Sequence, residues 1–394
     1  MRVYEAMSVD APAAGDRRSP QLDAVRALAV LMVLAGHAYL LGGTVPEQTS
    51  RAPGDLLINA GGSGIWLFFA LSGYLIGAPF VRALADGSPL PRLGRYALRR
   101  GARILPAYWL ALAVVLVVVP PVTLDWWQLP LHGALLHNLV PGEGQALFFV
   151  AWTLGIEALF YAFVPLGALA VRRARGPRPI DASSLMAGIG VLWGLSIAWS
   201  VWAARAYPGE GVAAVENADA FRLSLPALLS AFCPGLLLIV AERARPRRYA
   251  WLAARPGVAV ALAVPFAVGG MLLFAASSSV VFDLSHQLWS VAAGLVVLAA
   301  LESPPRRLLR LVAPLGLVSY GLYLWHYVAL LVLRDLELSV QAGPVSWPVR
   351  IALLLAISLP FAVASWLLVE RPLLRRTARW RRVPRAPVAE GAPA

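Results

Sequence analysis

The sequence predicts an all-α protein, a polytopic bundle of about ten transmembrane helices. Of the 394 residues, 59% are hydrophobic and only 14% are charged, and the mean hydropathy is +0.69. Apolar runs of about 20 residues, the length that crosses a bilayer, recur along nearly the whole chain. The segments between these runs alternate between arginine-rich and arginine-poor. This composition is typical of a membrane protein and excludes a soluble globule.

Ten apolar segments have the length of a membrane span. They lie near residues 22–42, 63–84, 104–121, 148–170, 184–204, 222–241, 256–276, 284–301, 312–333 and 349–369. A shorter run around 126–139 contains Pro130, His132 and Asn138, so we expect an interfacial or re-entrant segment there. The predicted organisation is an N-terminal segment over 1–21, one transmembrane domain over 22–372 and a disordered tail over 373–394.

The arginine pattern predicts the topology. All 34 basic residues are arginines, and they recur in blocks over 92–103, 172–178, 243–248, 306–310 and from 371 onward. The positive-inside rule places these blocks and both termini in the cytoplasm, and ten spans satisfy that parity. The expected location is the plasma membrane, with the lipid bilayer as the main partner. Because the arginines do not share one soluble face, nucleic acid is not expected as a partner.

The single cysteine and the first apolar run limit other interpretations. Cys233 is the only cysteine, which excludes an intrachain disulfide and a cysteine-based metal cluster. No metal site is predicted. The first run lacks a small-residue cleavage site, so we expect an uncleaved first span and not a signal peptide.

The first predicted span contains two ionisable residues, Arg26 and His37. Ionisable side chains at membrane depth are costly and indicate a functional site by default. On a helix the two side chains lie within roughly 20° of one direction and roughly 16 Å apart along the axis. Asp23 precedes Arg26 by three residues and can pair with it.

Helix geometry also predicts depths for polar residues of other spans. Measured from the cytoplasmic edge, His37 lies about 22 Å and His326 about 21 Å into the membrane. Glu157 lies about 14 Å below the outer edge of its span. We therefore expect these three titratable side chains to cluster in the outer half of the membrane.

Three arginines are predicted near the cytoplasmic edge, namely Arg26, Arg100 and Arg103. Guanidinium groups bind phosphates through two parallel hydrogen bonds. An imidazole with a carboxylate is the usual equipment for deprotonating a hydroxyl. The pattern therefore predicts a phosphate-rich donor that binds from the cytoplasm and a nucleophile that meets it deeper in the bundle.

Several of these residues also have a purely structural interpretation. An arginine at the edge of a span is commonly a snorkelling anchor. His37 and His326 can each be an ordinary bundle histidine with a hydrogen-bonding neighbour. Three further histidines lie near span ends, where we expect solvation by the interface: His132, His137 and His286.

Glu157 is flanked by apolar residues and must be protonated, paired or exposed to a cavity. Thr153 and Tyr161 lie one turn to either side and can hydrogen-bond it. A proton-coupled transporter of a polar or glycosylated small molecule is an alternative function, because buried ionisable side chains also form proton relays. Transport predicts inverted repeats and broken helices, which the sequence does not display.

Six stretches of the sequence resemble, in this order, the signatures of the acyltransferase 3 family of integral membrane O-acyltransferases. They are Leu22-Asp-x-x-Arg26 with His37, Phe68 to Ile76 around Ser72, Arg100-x-x-Arg103 with Pro106, Trp152 to Tyr161 around Glu157, Ser319 to His326 around Tyr323, and Ser365 to Pro372. Each stretch alone is loose, but six in the correct order are specific. Two positions depart from the family pattern: Ala158 replaces a second acidic residue, and Tyr327-Val328 replaces a proline.

The resemblance implies an enzyme that moves an acyl group, often acetyl, from cytoplasmic acyl-CoA to a hydroxyl. The implied acceptor is a carbohydrate, an envelope glycan or a secondary metabolite such as a macrolide. Acyl-CoA would be a co-substrate, and no tightly bound cofactor is expected. His37 is the implied catalytic residue, as general base or transient acyl carrier, and Glu157 would orient a partner or line the path.

The resemblance also implies roles for the remaining site residues. Arg26, Arg100 and Arg103 would hold or orient the donor. The other candidates for the pocket are Asp23, Ser72, Trp152, Tyr323 and His326.

Overall fold

The structure is a computed structural model that describes residues 19–38, 56, 60–118, 124–208, 219–275, 278–304, 307–335 and 347–379. Over these ranges the regular secondary structure is helical throughout, which confirms the predicted all-α class. The α-helices are α1 Pro20–His37, α2 Gly64–Asp86, α3 Leu93–Val118, α4 Gln128–Gly133, α5 Trp152–Arg175, α6 Ala182–Ala206, α7 Asp219–Arg222, α8 Leu225–Ala244, α9 Arg247–Ala253, α10 Pro256–Phe274, α11 Ser279–Glu302, α12 Arg307–Leu317, α13 Ser319–Asp335, α14 Trp347–Ser365 and α15 Arg371–Arg379. Short 3-10 turns lie at Ala60–Ser63, His137–Leu139 and Phe149–Ala151.

Among the described residues, eight helices are long and apolar enough to cross a membrane, and α12 with α13 makes a ninth span if the two count as one. The sequence predicted about ten. The difference lies at α1, whose 18 described residues include the charged Asp23 and Arg26 and which is not among the eight. The protein is therefore a multi-pass membrane protein with eight or nine such spans in its described part.

Both ends of the predicted organisation extend past the described residues. Residues 1–18 and 380–394 lie outside them. Helix α15 continues to Arg379, so the tail predicted as disordered over 373–394 is helical in its first part.

Helices α2 and α8 approach each other closely at two glycines. A Cβ atom at Gly73 would lie 2.1 Å from the backbone oxygen of Phe232, and one at Gly235 would lie 2.1 Å from that of Ala70. Small residues allow this approach of backbones in membrane bundles. The ring of Phe160 on α5 stacks on Phe232 with centroids 3.9 Å apart. These contacts join α2, α5 and α8 into one core.

The predicted span over 312–333 is not one continuous helix, because α12 and α13 meet at a bend of 71°. Pro314 within α12 lacks the amide hydrogen that a regular helix needs, and proline is a common cause of sharp bends. Gly316 lies directly against α1, since a Cβ atom there would be 1.9 Å from the backbone oxygen of Asp23. The bend brings the first turns of α13 beside α1 and α3.

A π-helical turn over Trp366–Glu370 connects α14 to α15. Turns of this kind insert one extra residue into a helix and occur frequently at functional sites. The turn directs Trp366 and Glu370 into the bundle, where each is 1% exposed, while Leu368 is 77% exposed. Helix α3 packs against both this turn and α15.

The run predicted to be interfacial forms the short helix α4 and a 3-10 turn, and it folds back onto α3. The Tyr108 hydroxyl on α3 donates to the carbonyl of His132 at 3.0 Å. His132 and His137 are fully buried and stack with ring centroids 4.6 Å apart, and His132 Nε2 lies 3.0 Å from the Glu143 carboxylate. Burial lowers the pKa of His137 to about 3 and also lowers the pKa of His132, which Glu143 partly offsets. The prediction that these two histidines are solvated is therefore wrong.

A buried ion pair joins α7 to α11 in the same part of the bundle. Arg222 donates two hydrogen bonds to the Asp283 carboxylate, at 2.8 and 3.2 Å. His286, one turn further along α11, packs on Trp66 with ring centroids 4.6 Å apart. This third histidine is thus partly covered by an aromatic ring and not simply solvated.

Candidate active site

A cavity of about 110 Å³ lies between α1, α2, α3, α5 and α13. It has room for several water molecules. Six of the ten predicted site residues line it. Its polar wall consists of Arg26, Ser72, Arg100, Arg103, Thr153, Glu157, Tyr161, Ser319, Tyr320 and Tyr323.

Arg26 reaches the cavity from the first turns of α1. Its guanidinium pairs with the carboxylate of Asp23, three residues earlier, as predicted. Asp23 is buried and does not line the cavity. Asp23 therefore acts on the cavity through Arg26, because its charge lowers the cost of keeping that guanidinium half-buried.

Arg100 and Arg103 lie three residues apart on α3 and face the same cavity. The Arg100 guanidinium lies over the ring of Tyr161, 5.3 Å from its centroid, and 5.7 Å from the centroid of Tyr96. Both arginines are half-buried and turned toward the cavity, so snorkelling to the membrane surface does not describe them. Among the described residues that line the cavity, three arginines face one carboxylate, that of Glu157. This excess of positive charge favours an anionic ligand.

Glu157 lies in this arginine-lined cavity and not beside the histidines. The Ser72 hydroxyl donates to Glu157 Oε1 at 2.5 Å, and the Tyr161 hydroxyl donates to the same oxygen at 2.9 Å. Tyr161 was expected from its position one turn away, and its bond is confirmed. The expectation that Glu157 joins His37 and His326 is wrong, because a depth estimate says nothing about which way the helix turns the side chain.

Tyr323 connects the cavity to the interior of α13. Its hydroxyl oxygen lies 2.8 Å from the carbonyl of Val150 and 2.6 Å from Thr153 Oγ1, which itself lies 3.3 Å from the same carbonyl. Thr153 therefore bonds Tyr323 and not Glu157, contrary to one of the predicted options. The Tyr323 ring also lies 5.6 Å from the ring of His326, centroid to centroid.

His37 and His326 form a direct pair, as their similar predicted depths indicated. His37 Nδ1 lies 2.8 Å from His326 Nε2, with the two rings 5° from parallel. His326 is fully buried, whereas His37 is half-buried and has the edge of Phe149 at 6.0 Å. Neither histidine lines the arginine cavity; the pair lies one helical turn beyond Tyr323.

The hydrogen bonds assign the tautomers of this pair. His326 Nδ1 lies 3.1 Å from the carbonyl of Leu322, which can only accept, so the proton of a neutral His326 is on Nδ1. His326 Nε2 then accepts, and His37 Nδ1 donates to it. In a neutral His37, Nε2 then carries no proton, and its lone pair takes no part in the bond with His326. A general base or a nucleophile needs this arrangement.

Three of the five predicted pocket residues do not line the cavity, namely Asp23, His326 and Trp152, and two residues that do line it were not predicted. Trp152 is half-buried and packs on the core of α2 and α8, so it does not line the cavity. Tyr320 and Ser319 do line it. Both lie in the stretch Ser319 to His326, but only the bend before α13 turns them toward the cavity.

Residues 19–367 match the acyltransferase domain of the acyltransferase 3 family. The chain is 27% identical over 332 residues to the exopolysaccharide production protein ExoZ of Rhizobium meliloti (strain 1021), covering 82% of this chain and 92% of ExoZ. It is 24% identical over 397 residues to the peptidoglycan O-acetyltransferase OatA of Listeria monocytogenes serovar 1/2a, covering 90% of this chain and 55% of OatA. No solved structure matches the chain.

The family match extends over most of the chain, and it includes α1, α3, α5 and α13, which supply the cavity and the histidine pair. Because the match covers these elements together, the chain belongs to the acyltransferase 3 family and is a membrane acyltransferase that transfers groups other than aminoacyl groups.

Proposed function

We propose that the protein transfers an acyl group, acetyl in the first instance, from cytoplasmic acyl-CoA to a hydroxyl of a carbohydrate, an envelope glycan or a secondary metabolite. The observation that carries this proposal is the pairing of an arginine-lined cavity with an adjacent histidine whose Nε2 is available as a base. Two relatives agree with a glycan acceptor by name, one for exopolysaccharide production and one as a peptidoglycan O-acetyltransferase.

The donor would enter from the side of the arginine-rich connections, which the positive-inside rule assigns to the cytoplasm of a plasma-membrane protein. Arg26, Arg100 and Arg103 would bind its phosphates or polarise its thioester, since guanidinium groups form charge-assisted bonds with such oxygens. In this proposal the acyl end of the donor occupies the cavity. Glu157 would position Arg100 through Tyr161. The Tyr161 hydroxyl donates to the Glu157 carboxylate, and the Arg100 guanidinium lies over the Tyr161 ring.

His37 would perform the chemistry in one of two ways. As a general base, Nε2 takes the proton of the acceptor hydroxyl while its oxygen attacks the thioester carbonyl. The C–S bond then breaks, and the departing thiolate takes that proton from the imidazolium. As an acyl carrier, Nε2 itself attacks the carbonyl and the thiolate leaves as the C–S bond breaks. In a second step the acceptor oxygen attacks the acyl group, the C–N bond breaks, and the proton of the acceptor hydroxyl goes to the thiolate to give free coenzyme A.

Labelled acetyl-CoA and a His37→Ala variant test the proposal. In membranes that contain the wild-type protein, label is expected to move into hydroxyl-bearing material, with release of coenzyme A. His37→Ala is expected to reduce this transfer about 100-fold or more. His286→Asn, at a histidine that does not line the cavity, serves as the matched control and should retain transfer. Undiminished transfer by His37→Ala would refute the role of His37.

Two further measurements define the mechanism and the acceptor. Acid-quenched protein that carries an acetyl group on His37 would support the carrier, whereas its absence during active turnover would support the general base. Comparison of O-acyl groups on glycans, wall polymers, lipids and secreted metabolites, with and without the gene, would identify the acceptor.

Transport is the competing use of the same residues. The observation that favours it is the bend of 71° between α12 and α13, because discontinuous helices form the binding sites of many transporters. Uptake of a glycosylated small molecule into proteoliposomes without acyl-CoA would support transport, because a transporter needs no acyl donor.

A further inference from the structure

We infer that Trp347, the first residue of α14, is a positioning residue that holds the end of α1 and, with it, His37. Trp347 is half-buried and does not line the arginine-lined cavity. Its effect on catalysis rests on the proposed function of His37, but its hold on the end of α1 does not.

The last turn of α1 has carbonyl groups that need partners from outside the helix. The last four carbonyls of an α-helix have no partner within the helix itself. The N–H of Ala38 donates to two of them, those of Leu34 and Gly36. The carbonyl of Ala35 accepts a hydrogen bond of 2.8 Å from the indole N–H of Trp347. An unpaired carbonyl within a membrane bundle is costly, so Trp347 stabilises this end of the helix.

The ring of Trp347 packs where α1, α13 and α14 meet. It packs on a small apolar cluster made of Ala38, Ala329, Leu330, Leu333 and Leu354. Ala38 directly follows His37, and Ala329 lies one turn beyond His326. Trp347 therefore packs on α13, the helix that carries His326, while its N–H bonds α1, the helix that carries His37.

A second contact at the same end of α1 is close but carries no side chain. A Cβ atom at Gly36 would lie 2.8 Å from the backbone nitrogen of Gly62, so α1 packs directly on the turn Ala60–Ser63. A glycine contact limits how near the two backbones come, but it has no side chain to oppose rotation of α1 about its axis. The bond from Trp347 does oppose rotation, because hydrogen bonds weaken steeply when their angle changes.

A small rotation of α1 matters because His37 needs both of its ring nitrogens in place. Nδ1 bonds His326 Nε2 at 2.8 Å, and in the proposed mechanism Nε2 meets the reacting group. A rotation of about 10° moves a ring nitrogen that lies about 6 Å from the helix axis by about 1 Å. A displacement of this size can reduce a rate by about 100-fold. Loss of the Trp347 bond should therefore lower kcat without weakening donor binding.

Tryptophans at the ends of spans commonly anchor a protein at the membrane interface. The N–H of such an anchor bonds water or lipid headgroups, whereas the N–H of Trp347 bonds a carbonyl of the protein itself. The two roles therefore differ in what removal of the N–H alone does to α1.

Two replacements at position 347 of the full-length protein test the inference. Trp347→Phe removes the N–H and part of the ring. Benzothienylalanine, introduced by codon suppression, puts sulfur in place of the N–H and keeps the size of the ring. Acyl transfer from labelled acetyl-CoA is measured in membranes, and amide hydrogen exchange is measured by mass spectrometry on protein purified in detergent.

Both replacements should change the reaction and the end of α1 together. We expect kcat to fall about tenfold, with KM for acetyl-CoA unchanged. Amide exchange over residues 33–38 should become about fivefold faster, the factor that corresponds to one ordinary hydrogen bond. The benzothienylalanine variant carries the test if Trp347→Phe does not fold.

Trp199→Phe is the matched control. Trp199 is also half-buried, and its indole N–H donates to the carbonyl of Phe221 at 3.0 Å. This bond joins α6 to α7, and neither helix lines the cavity. Trp199→Phe should lower the unfolding temperature about as much as Trp347→Phe, but it should leave kcat and the exchange over residues 33–38 unchanged.

The two readouts separate this inference from the proposed function. Unchanged exchange over residues 33–38 in both Trp347 variants would overturn the inference, and so would faster exchange with an undiminished kcat. If the wild type transfers no acyl group and the exchange becomes faster, the proposed function is wrong and the hold of Trp347 on α1 stands. If the wild type transfers acyl groups and both variants match it in both measurements, the positioning role is wrong and the proposed function stands.

Discussion

At the scale of single residues, the bond between His37 and His326 decides which nitrogen is available for chemistry. His326 Nδ1 donates to the carbonyl of Leu322, so His326 Nε2 accepts from His37 Nδ1. A residue in this position acts on the reaction through His37, as the outer-shell partners of catalytic and metal-bound histidines do.

Replacement of His326 by Leu should therefore reduce acyl transfer while His37 is still present. We expect a loss of kcat of about 10- to 100-fold, because His37 can then adopt the wrong tautomer or rotate. KM for acetyl-CoA should change little, since the pair does not line the arginine cavity. His326→Gln, which keeps an acceptor for His37 Nδ1, should lose less. Equal kcat in His326→Leu and the wild type would contradict the role.

His132 and His137 predict how stability depends on pH. The folded-state pKa of His137 is about 3, against an ordinary value of 6.5. Between these values the unfolded chain binds a proton at this position that the folded chain does not, so stability present above pH 6.5 is lost as the pH falls toward 3. At pH 5 the loss from His137 is about 2 kcal/mol, and His132 shifts in the same direction.

Thermal unfolding in detergent at pH 7.5 and pH 5 measures this effect. The unfolding temperature of the wild type should fall at pH 5, and that of His137→Gln should fall by less, because glutamine does not titrate. Identical pH dependence in the two proteins would mean that His137 is accessible to protons in the folded state.

At the scale of elements, the crossing of α2 and α8 depends on the two glycines that allow it. Gly73→Ala would place a methyl group 2.1 Å from the backbone oxygen of Phe232. The two backbones would have to move apart to remove this clash. Overpacking of this kind costs about 1–3 kcal/mol. Gly190→Ala on α6 is the control, because a Cβ atom there meets nothing within 4 Å.

Thermal unfolding of Gly73→Ala should thus occur several degrees below that of the wild type, and Gly190→Ala should be unchanged or slightly more stable. Since α2 also carries Ser72 into the cavity, Gly73→Ala should reduce acyl transfer as well. A stable and fully active Gly73→Ala protein would show that the two helices are less tightly packed than the structure describes.

Contacts within one helix were predictable, and contacts between helices were predictable only in part. The pairs Asp23–Arg26 and Glu157–Tyr161 follow from spacings of three and four residues, which helix geometry fixes. The bend before α13 could not be predicted from the sequence, because transmembrane helices tolerate prolines such as Pro314. The bend, which hydropathy does not show, decides that Tyr320 lies at the arginine-lined cavity.

At the scale of the whole molecule, the positive charge is arranged in blocks between apolar segments, with a formal net charge of +13. Depth along a span could be predicted from this arrangement, and it correctly placed His37 and His326 at one level. Direction around the span axis could not, since it depends on which neighbours each helix packs against. Glu157 shows the difference, because its depth was no guide to the side of α5 on which it faces the arginines.

The orientation of the molecule in the membrane remains a prediction, and the single cysteine makes it testable. Cys233 is fully buried, so a thiol reagent that cannot cross membranes should not label the wild type. Asp125→Cys lies in an arginine-poor connection, and Ser183→Cys follows an arginine-rich one, and both positions are exposed. The positive-inside rule predicts that the first faces outward and the second faces the cytoplasm.

Labelling of cells before and after permeabilisation gives the outcome. The reagent should modify Asp125→Cys in intact cells and Ser183→Cys only after permeabilisation, with acyl transfer retained in both variants. The same result would place the N-terminal end of α3, with Arg100 and Arg103, at the cytoplasmic side, where acyl-CoA is available. The reverse labelling would turn the arginine-lined cavity outward and remove the basis for a cytoplasmic donor, whatever the chemistry of His37.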